Sequence, residues 1–189
     1  MKIIAVLASG SGTNAENIAK YFENNSEIRV GLIISNRLKA GVHARALSLG
    51  VPSFTFSNEE FRDGSKILAK LSEYNVDFIV LAGFMSLLPP VIINEYKDRI
   101  VNIHPALLPK YGGKGMFGRH VHEAVVASGE KETGITVHFV NERYDEGEII
   151  FRSVMPVCPS DTVEDVERKV HALEYAHYPA VIENIVKNL

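Results

Sequence analysis

Lys2-Ile3-Ile4-Ala5-Val6-Leu7-Ala8-Ser9-Gly10-Ser11-Gly12-Thr13-Asn14 stands at the start of the chain, and the reading of its apolar run decides the fold. A short run of branched and small apolar residues that passes straight into glycines, and then into a helical pattern, reads as a buried first strand. A secretory signal would need a longer apolar core. Ile3–Ala8 is therefore assigned to a strand, and Ala15–Phe22 to the helix that follows. Working outward, apolar runs keep alternating with helical patterns, the mark of a parallel sheet covered by helices. Val30–Ile34 reads as the second strand, followed by a helix ending near Gly50. Ser53–Phe56 is the third strand. Asn58 is the expected N-cap of a helix running toward Tyr74, with Glu59 and Glu60 at its positive end. Phe78–Ala82 and Ile100–His104 read as further strands, with a short helix opened by Pro89 and Pro90 between them.

The second half changes period. Gly134–Val140 alternates every two residues and Glu148–Val154 returns after the polar turn Asn141–Gly147, which predicts an antiparallel addition. Ser160 is the expected cap of a last helix carrying Val163, Val166, Val170 and Leu173 inward, and Pro179 is expected to break or kink it near Tyr178. The reading is one three-layer α/β/α domain over residues 1–189, its sheet mostly parallel with an antiparallel part in the C-terminal half.

Composition limits the partners. The 189 residues are 46% hydrophobic and 23% charged, enough for a core without crosslinks. Net charge is −3, with Lys and Arg scattered, so no basic face points to nucleic acid. No segment nears the ~20 apolar residues of a membrane span. Cys158 is the only cysteine; it excludes an internal disulfide and a cysteine-based metal cluster, and is expected to pack as a small hydrophobe. Together these features predict a cytoplasmic protein. Monomer and weak dimer stay open.

Ser9-Gly10-Ser11-Gly12-Thr13-Asn14 joins the first strand to the first helix. Glycine allows close backbone approach, and free N–H groups at a helix start can hold an anion. No Gly-Lys-Ser/Thr follows, so this is no P-loop, and the third glycine of G-x-G-x-x-G is missing. A plain tight turn uses glycine in the same way. Farther along, Asn102 and His104 in Val101-Asn102-Ile103-His104-Pro105-Ala106-Leu107-Leu108-Pro109 are two apart in a strand and project together. An amide donor beside an imidazole suits acyl transfer: one binds a developing oxyanion, the other moves a proton near neutral pH.

Asn102-Ile103-His104-Pro105 with Leu107-Leu108-Pro109 resembles the signature of the folate-dependent formyltransferase family. Leu81-Ala82-Gly83-Phe84-Met85 resembles its folate-site strand and loop. Gly134–Val140 and Asp145-Glu146-Gly147-Glu148-Ile149-Ile150 resemble its late strands. The blocks come in the same order and cover nearly the whole chain, and Ser9–Asn14 is similar to a phosphate loop within the family. The resemblance implies a formyltransferase-like, Rossmann-like fold. It also implies transfer of the formyl group of 10-formyltetrahydrofolate to the amine of 5′-phosphoribosylglycinamide, a step of de novo purine (IMP) synthesis. Small-molecule substrates and no metal are implied with it.

The same resemblance implies the roles of residues. Asn102, His104 and Asp145 match the family's catalytic trio. Gly12, Thr13, Asn14 and Glu174 match its ribonucleotide contacts, and Met85, Ser86, Leu87, Leu88 and Asn102 its folate contacts. Ser86 stands where some members carry arginine, which leaves a backbone contact there; Arg62 is a candidate folate arginine on a poor local match. Thr136 and His138 share a strand face and are candidates to line the site, a structural role for His138 staying equally open, while His43, His120, His122, His171 and His177 are expected at the surface. Gly112–Gly118 is longer and richer in glycine than the family's usual loop, and reads either as a surface insertion or as a lid. Two other functions stay in view: hydrolysis of the same folate by a deformylase, expected to carry an extra N-terminal domain, and a non-catalytic nucleotide-binding module. The former would show as formate release without the ribonucleotide. The latter has no need of the Asn102–His104 pair.

Overall fold

Alternation along the first strand sends Ile4 and Val6 into one layer and Ala5 and Leu7 into the other, as a strand covered on both faces requires. The computed structural model describes residues 1–189. In chain order the elements are β1 (Lys2–Leu7), α1 (Thr13–Tyr21), β2 (Ile28–Ser35), α2 (Val42–Ser48), β3 (Ser53–Thr55), α3 (Asn58–Asp63) and α4 (Ser65–Glu73). Then come β4 (Phe78–Leu81), α5 (Pro90–Glu95), β5 (Ile100–His104), α6 (Arg119–Ala127), β6 (Glu132–Phe139), β7 (Ile149–Pro156) and α7 (Val163–Lys187). The strands form one sheet in the order β3-β2-β1-β4-β5-β6-β7. Its first five members pair in parallel, and β6 and β7 add antiparallel, as the change of period predicts.

Helices α1, α2 and α7 bury their apolar sides on one face, with Ile18, Val42, Val170 and Ile182 among the side chains that meet the sheet. Helices α3, α4 and α5 cover the other through Phe61, Ile67, Leu71 and Ile92. Strand order reverses at β1, which lies between β2 and β4. The crevice beyond the C-terminal ends of β1 and β4 is the usual ligand position in such a sheet. No helix is long and apolar enough to cross a membrane.

Four local expectations are corrected. Ser57, not Asn58, caps α3: its Oγ accepts from Glu60 N at 3.2 Å, and Glu60 returns the bond to Ser57 N at 2.8 Å, a reciprocal pair that satisfies two free donors. The helix toward Tyr74 is divided at Gly64, whose φ of 76° ends α3 and starts α4. Thr162, paired in the same reciprocal way with Asp165, caps α7 in place of Ser160, which lies in the preceding turn. Cys158 is exposed rather than packed.

Pro179 does not break α7, which continues to Lys187. Proline lacks the N–H that would bond the carbonyl four residues back. That carbonyl, on Tyr175, instead accepts the side-chain amide of Asn17 from α1 at 3.0 Å. One turn away, the buried Tyr178 hydroxyl donates to Leu81 O at 2.9 Å. These two contacts hold the helix against α1 and the sheet where its own ladder is interrupted.

Candidate active site

The loop after β1 is shaped by two demands on glycine. Gly12 has φ 77° and caps α1 without a side-chain bond. A Cβ there would stand 2.5 Å from Val42 of α2, whereas at Gly10 it would meet nothing within 4 Å. Gly12 is therefore required by its left-handed backbone and by the close approach of α2. The N–H groups of Ser11, Gly12, Thr13 and Asn14 bond no backbone carbonyl, which leaves the donors an anion needs at the positive end of α1. Asn14 Nδ2 donates to Glu174 Oε2 at 2.8 Å. Glu174 is only 5% exposed; burial raises its pKa, against the pull of the Asn14 bond. The long helix α7 thus presents Glu174 inward, a placement its polar character hides in the sequence.

The loop after β4 stands beside it. Ser9 N donates to Gly83 O at 3.0 Å and Ser9 Oγ accepts from Met85 N at 2.9 Å, so the two loops are tied together. Ser86 Oγ accepts from Asn36 Nδ2 at 2.8 Å, leaving its side chain engaged within the protein. Phe84 packs against Phe61 with ring centroids 5.0 Å apart, and Leu88 is buried in the same layer. Met85, Ser86, Leu87 and Leu88 all line the cleft; Arg62 does not. Its permanent cations are Lys114 and Arg143.

Asn102 and His104 leave β5 on one face, opposite His138 and Thr136 of β6. Thr136 is structural: its hydroxyl donates to Ala106 O at 2.7 Å and accepts from Leu108 N at 3.1 Å, fixing the Leu-Leu-Pro turn. His138 Nδ1 lies 2.8 Å from Phe139 O, an acceptor only, so Nδ1 carries the proton. In the neutral ring Nε2 then accepts from Asn102 Nδ2 at 3.1 Å. His104 Nε2 likewise donates to Tyr111 O at 2.7 Å, and its Nδ1 faces Asp145 Oδ2 at 3.6 Å. Asp145 comes from the β6–β7 turn with φ 56°, a conformation aspartate tolerates better than most residues. Its carboxylate also accepts from Gly113 N at 2.9 Å and lies 3.5 Å from His138 Nε2.

Electrostatics oppose each other here. His104 is 3% exposed, and burial lowers its pKa below the ordinary histidine value, although Asp145 and the Tyr111 carbonyl pull upward. Burial disfavours the Asp145 carboxylate too, but His138, the charge of His104 and the Gly113 amide together outweigh it and hold its pKa low. The result is an ionised carboxylate beside an imidazole that is mostly neutral at pH 7, with the carboxylate favouring its protonation and burial opposing it.

Gly12, Thr13 and Asn14 of the loop after β1, the β4 loop, Asn102, His104, Asp145 and Glu174 all line one cleft of about 520 Å³. Three further contributors were missed or misread. Helix α6 was not anticipated, and it buries His122, expected at the surface, to 1% exposure. The inward spacing of Val121 and Val125 was the available signal. His171 of α7 lines the cleft as well, half-buried rather than at the surface; His43 and His177 are half-buried also, and His120 is exposed. The glycine-rich loop is no remote insertion: Gly113–Gly118 forms cleft wall, and a Cβ on Gly118 would lie 4.0 Å from Met85 Cε.

Strand order, switch-point cleft and the cluster of amide, imidazoles and carboxylate define the class: a doubly wound α/β protein with a polar centre built for proton movement and anion stabilisation. The chain belongs to the formyl transferase family, whose model matches residues 1–182. It is 39% identical over 187 residues to a chloroplastic phosphoribosylglycinamide formyltransferase of Arabidopsis thaliana, with 96% of this chain and 64% of that relative covered. It thus spans just under two thirds of that protein's length. A phosphoribosylglycinamide formyltransferase of Haemophilus influenzae is 37% identical, with 97% of this chain and 86% of the relative covered. The crystal structure of the enzyme of that name from Streptococcus pneumoniae TIGR4 superposes with a TM-score of 0.86 at 36% identity, over 98% of this chain and 99% of that one.

Proposed function

We propose that the protein transfers the formyl group of 10-formyltetrahydrofolate to the amine of 5′-phosphoribosylglycinamide, within purine synthesis. The observation that carries this reading is the single cleft shared by the free amides of Ser11–Asn14, the apolar β4 loop and the trio Asn102, His104 and Asp145. A phosphate fits the first, a fused aromatic ring the second, and acyl transfer the third. The relatives' names and the family match over residues 1–182 support formyl transfer to phosphoribosylglycinamide.

In this reading Gly12, Thr13 and Asn14 hold the phosphate with backbone donors, and Glu174 holds the sugar side of the ribonucleotide. Met85, Ser86, Leu87, Leu88 and Asn102 receive the folate. The substrate amine attacks the formyl carbon, forming a C–N bond and an oxyanion. Asn102 Nδ2 turns from His138 to donate to that oxygen. A second negative charge beside the ring favours the His104 imidazolium as the oxyanion develops. His104 and Asp145 then move a proton from the attacking nitrogen toward the departing one, directly or through water. Collapse breaks the bond between the formyl carbon and the folate nitrogen, which leaves carrying that proton.

Incubation with 10-formyltetrahydrofolate, with and without 5′-phosphoribosylglycinamide, tests the reading. Formylated ribonucleotide and tetrahydrofolate in equal amounts, only when both substrates are present, are expected. Formate release independent of the ribonucleotide would make the protein a deformylase instead.

A further inference from the structure

His122 is the buried titratable group of the cleft that the reaction above leaves without a task. It lies on α6, is 1% exposed, and its Nδ1 has no hydrogen-bond partner. A buried nitrogen without a partner is costly and rare. Its surroundings suggest what the nitrogen is kept for. Asn14 of the phosphate loop bonds Glu174 at 2.8 Å, Glu174 lies 3.9 Å from His171, and the His171 and His122 rings stand edge to face with centroids 6.4 Å apart. His104 lines the same cleft as His122. All of these residues line the one cleft. His122 therefore lies on the wall of the shared cleft, reached from the end that suits a phosphate through Glu174 and His171. A ribonucleotide lying along that wall brings its ribose past this ring.

We propose that His122 is a specificity-determining residue that hydrogen-bonds a ribose hydroxyl of the ribonucleotide substrate. Burial lowers its pKa to about 4, so the ring is neutral at pH 7 and offers one donor and one acceptor. A hydroxyl can donate to the bare ring nitrogen or accept from the protonated one, whichever faces it. A phosphate, which only accepts, could use the ring N–H alone and would leave the other nitrogen unpaired. The inference rests on the function proposed above and assigns His122 a part in choosing its substrate.

Two variants and one spectroscopic measurement test it separately from that function. Product formation by the unaltered protein reports the function. His122→Phe keeps a buried ring and removes both nitrogens; His122→Asn keeps a polar group at the site. His122→Phe is expected to raise KM for the ribonucleotide roughly two- to tenfold, the range of one neutral hydrogen bond, with a smaller change in kcat. KM for an analogue lacking the ribose hydroxyls should stay the same in His122→Phe and in the unaltered protein, and His122→Asn should recover part of the discrimination. Equal KM shifts for substrate and analogue, or no shift, would overturn the assignment. In the unaltered protein, binding of the ribonucleotide without folate should move the 15N resonance of a His122 ring nitrogen, and the hydroxyl-free analogue should not. A resonance unmoved by both ligands overturns the assignment even if His122→Phe fails to fold.

Discussion

Asp145 Oδ2 lies 3.6 Å from His104 Nδ1 and accepts Gly113 N–H at 2.9 Å, while the other ring nitrogen of His104 meets the carbonyl of Tyr111 at 2.7 Å. The pair is therefore clamped to both ends of the short segment Tyr111–Gly113. Position of the glycine-rich loop and position of His104 and Asp145 are one variable, so a displaced loop base would disturb both.

Asp145→Asn keeps size and removes charge. Burial already holds the His104 pKa below 6.5, and Asp145 is the main influence raising it. The variant should lower that pKa further, so an activity limb requiring the imidazolium moves to lower pH and maximal turnover falls. NMR titration of His104 in both proteins checks this. An unchanged pKa with lost activity would leave Asp145 as a proton carrier and remove its electrostatic role.

Gly12→Ala should test the fold and Gly10→Ala the site. The first places a Cβ against Val42 on a left-handed backbone and should cost about 1–3 kcal/mol in urea unfolding. The second has open space and should unfold within about 1 kcal/mol of the parent protein. Equal costs would refute the packing account of Gly12.

Asn17 and Pro179 should be coupled through Tyr175 O, which receives the Asn17 amide where Pro179 has no N–H to give. Asn17→Ala is expected to cost about 0.5–1 kcal/mol alone. It should cost less in a Pro179→Ala background, where the restored N–H reaches the same carbonyl. Additive effects across the double-mutant cycle would show the two residues to be independent.

His122 should make the protein acid-sensitive. Its folded pKa is about 4 against 6.5 when exposed, so between those values the unfolded chain binds more protons than the folded one. Stability is then lost as pH falls from 6.5 to 4, and a full shift of this size corresponds to on the order of 3 kcal/mol. His104, lowered in the same direction, adds to the loss. Urea unfolding at pH 7 and pH 4.5 should show a shallower decline for His122→Asn than for the parent; parallel declines would assign the sensitivity elsewhere.

Local periodicity determined the layers. A strand covered on both faces must be apolar throughout, so Ile3–Ala8 and Phe78–Ala82 announce a parallel sheet, and the change to period two at Gly134–Val140 announces the antiparallel part. Asn102 and His104 were legible as a pair for the same reason, since residues two apart share a face. Motif order carried the family. What no local pattern contains is which distant groups meet. Asp145 reads as a turn aspartate until the β6–β7 return sets it beside His104, and Glu174 as a solvated helix residue until α7 lays it against Asn14. Pro179 reads as a break until Asn17, far away in the chain, takes the carbonyl it leaves free. His122 reads as surface until α6 packs on α7. The composition and period of each segment follow from its own burial pattern, whereas desolvation, carbonyl satisfaction and the company of charges depend on residues brought together only by packing, and the tertiary structure alone decides them.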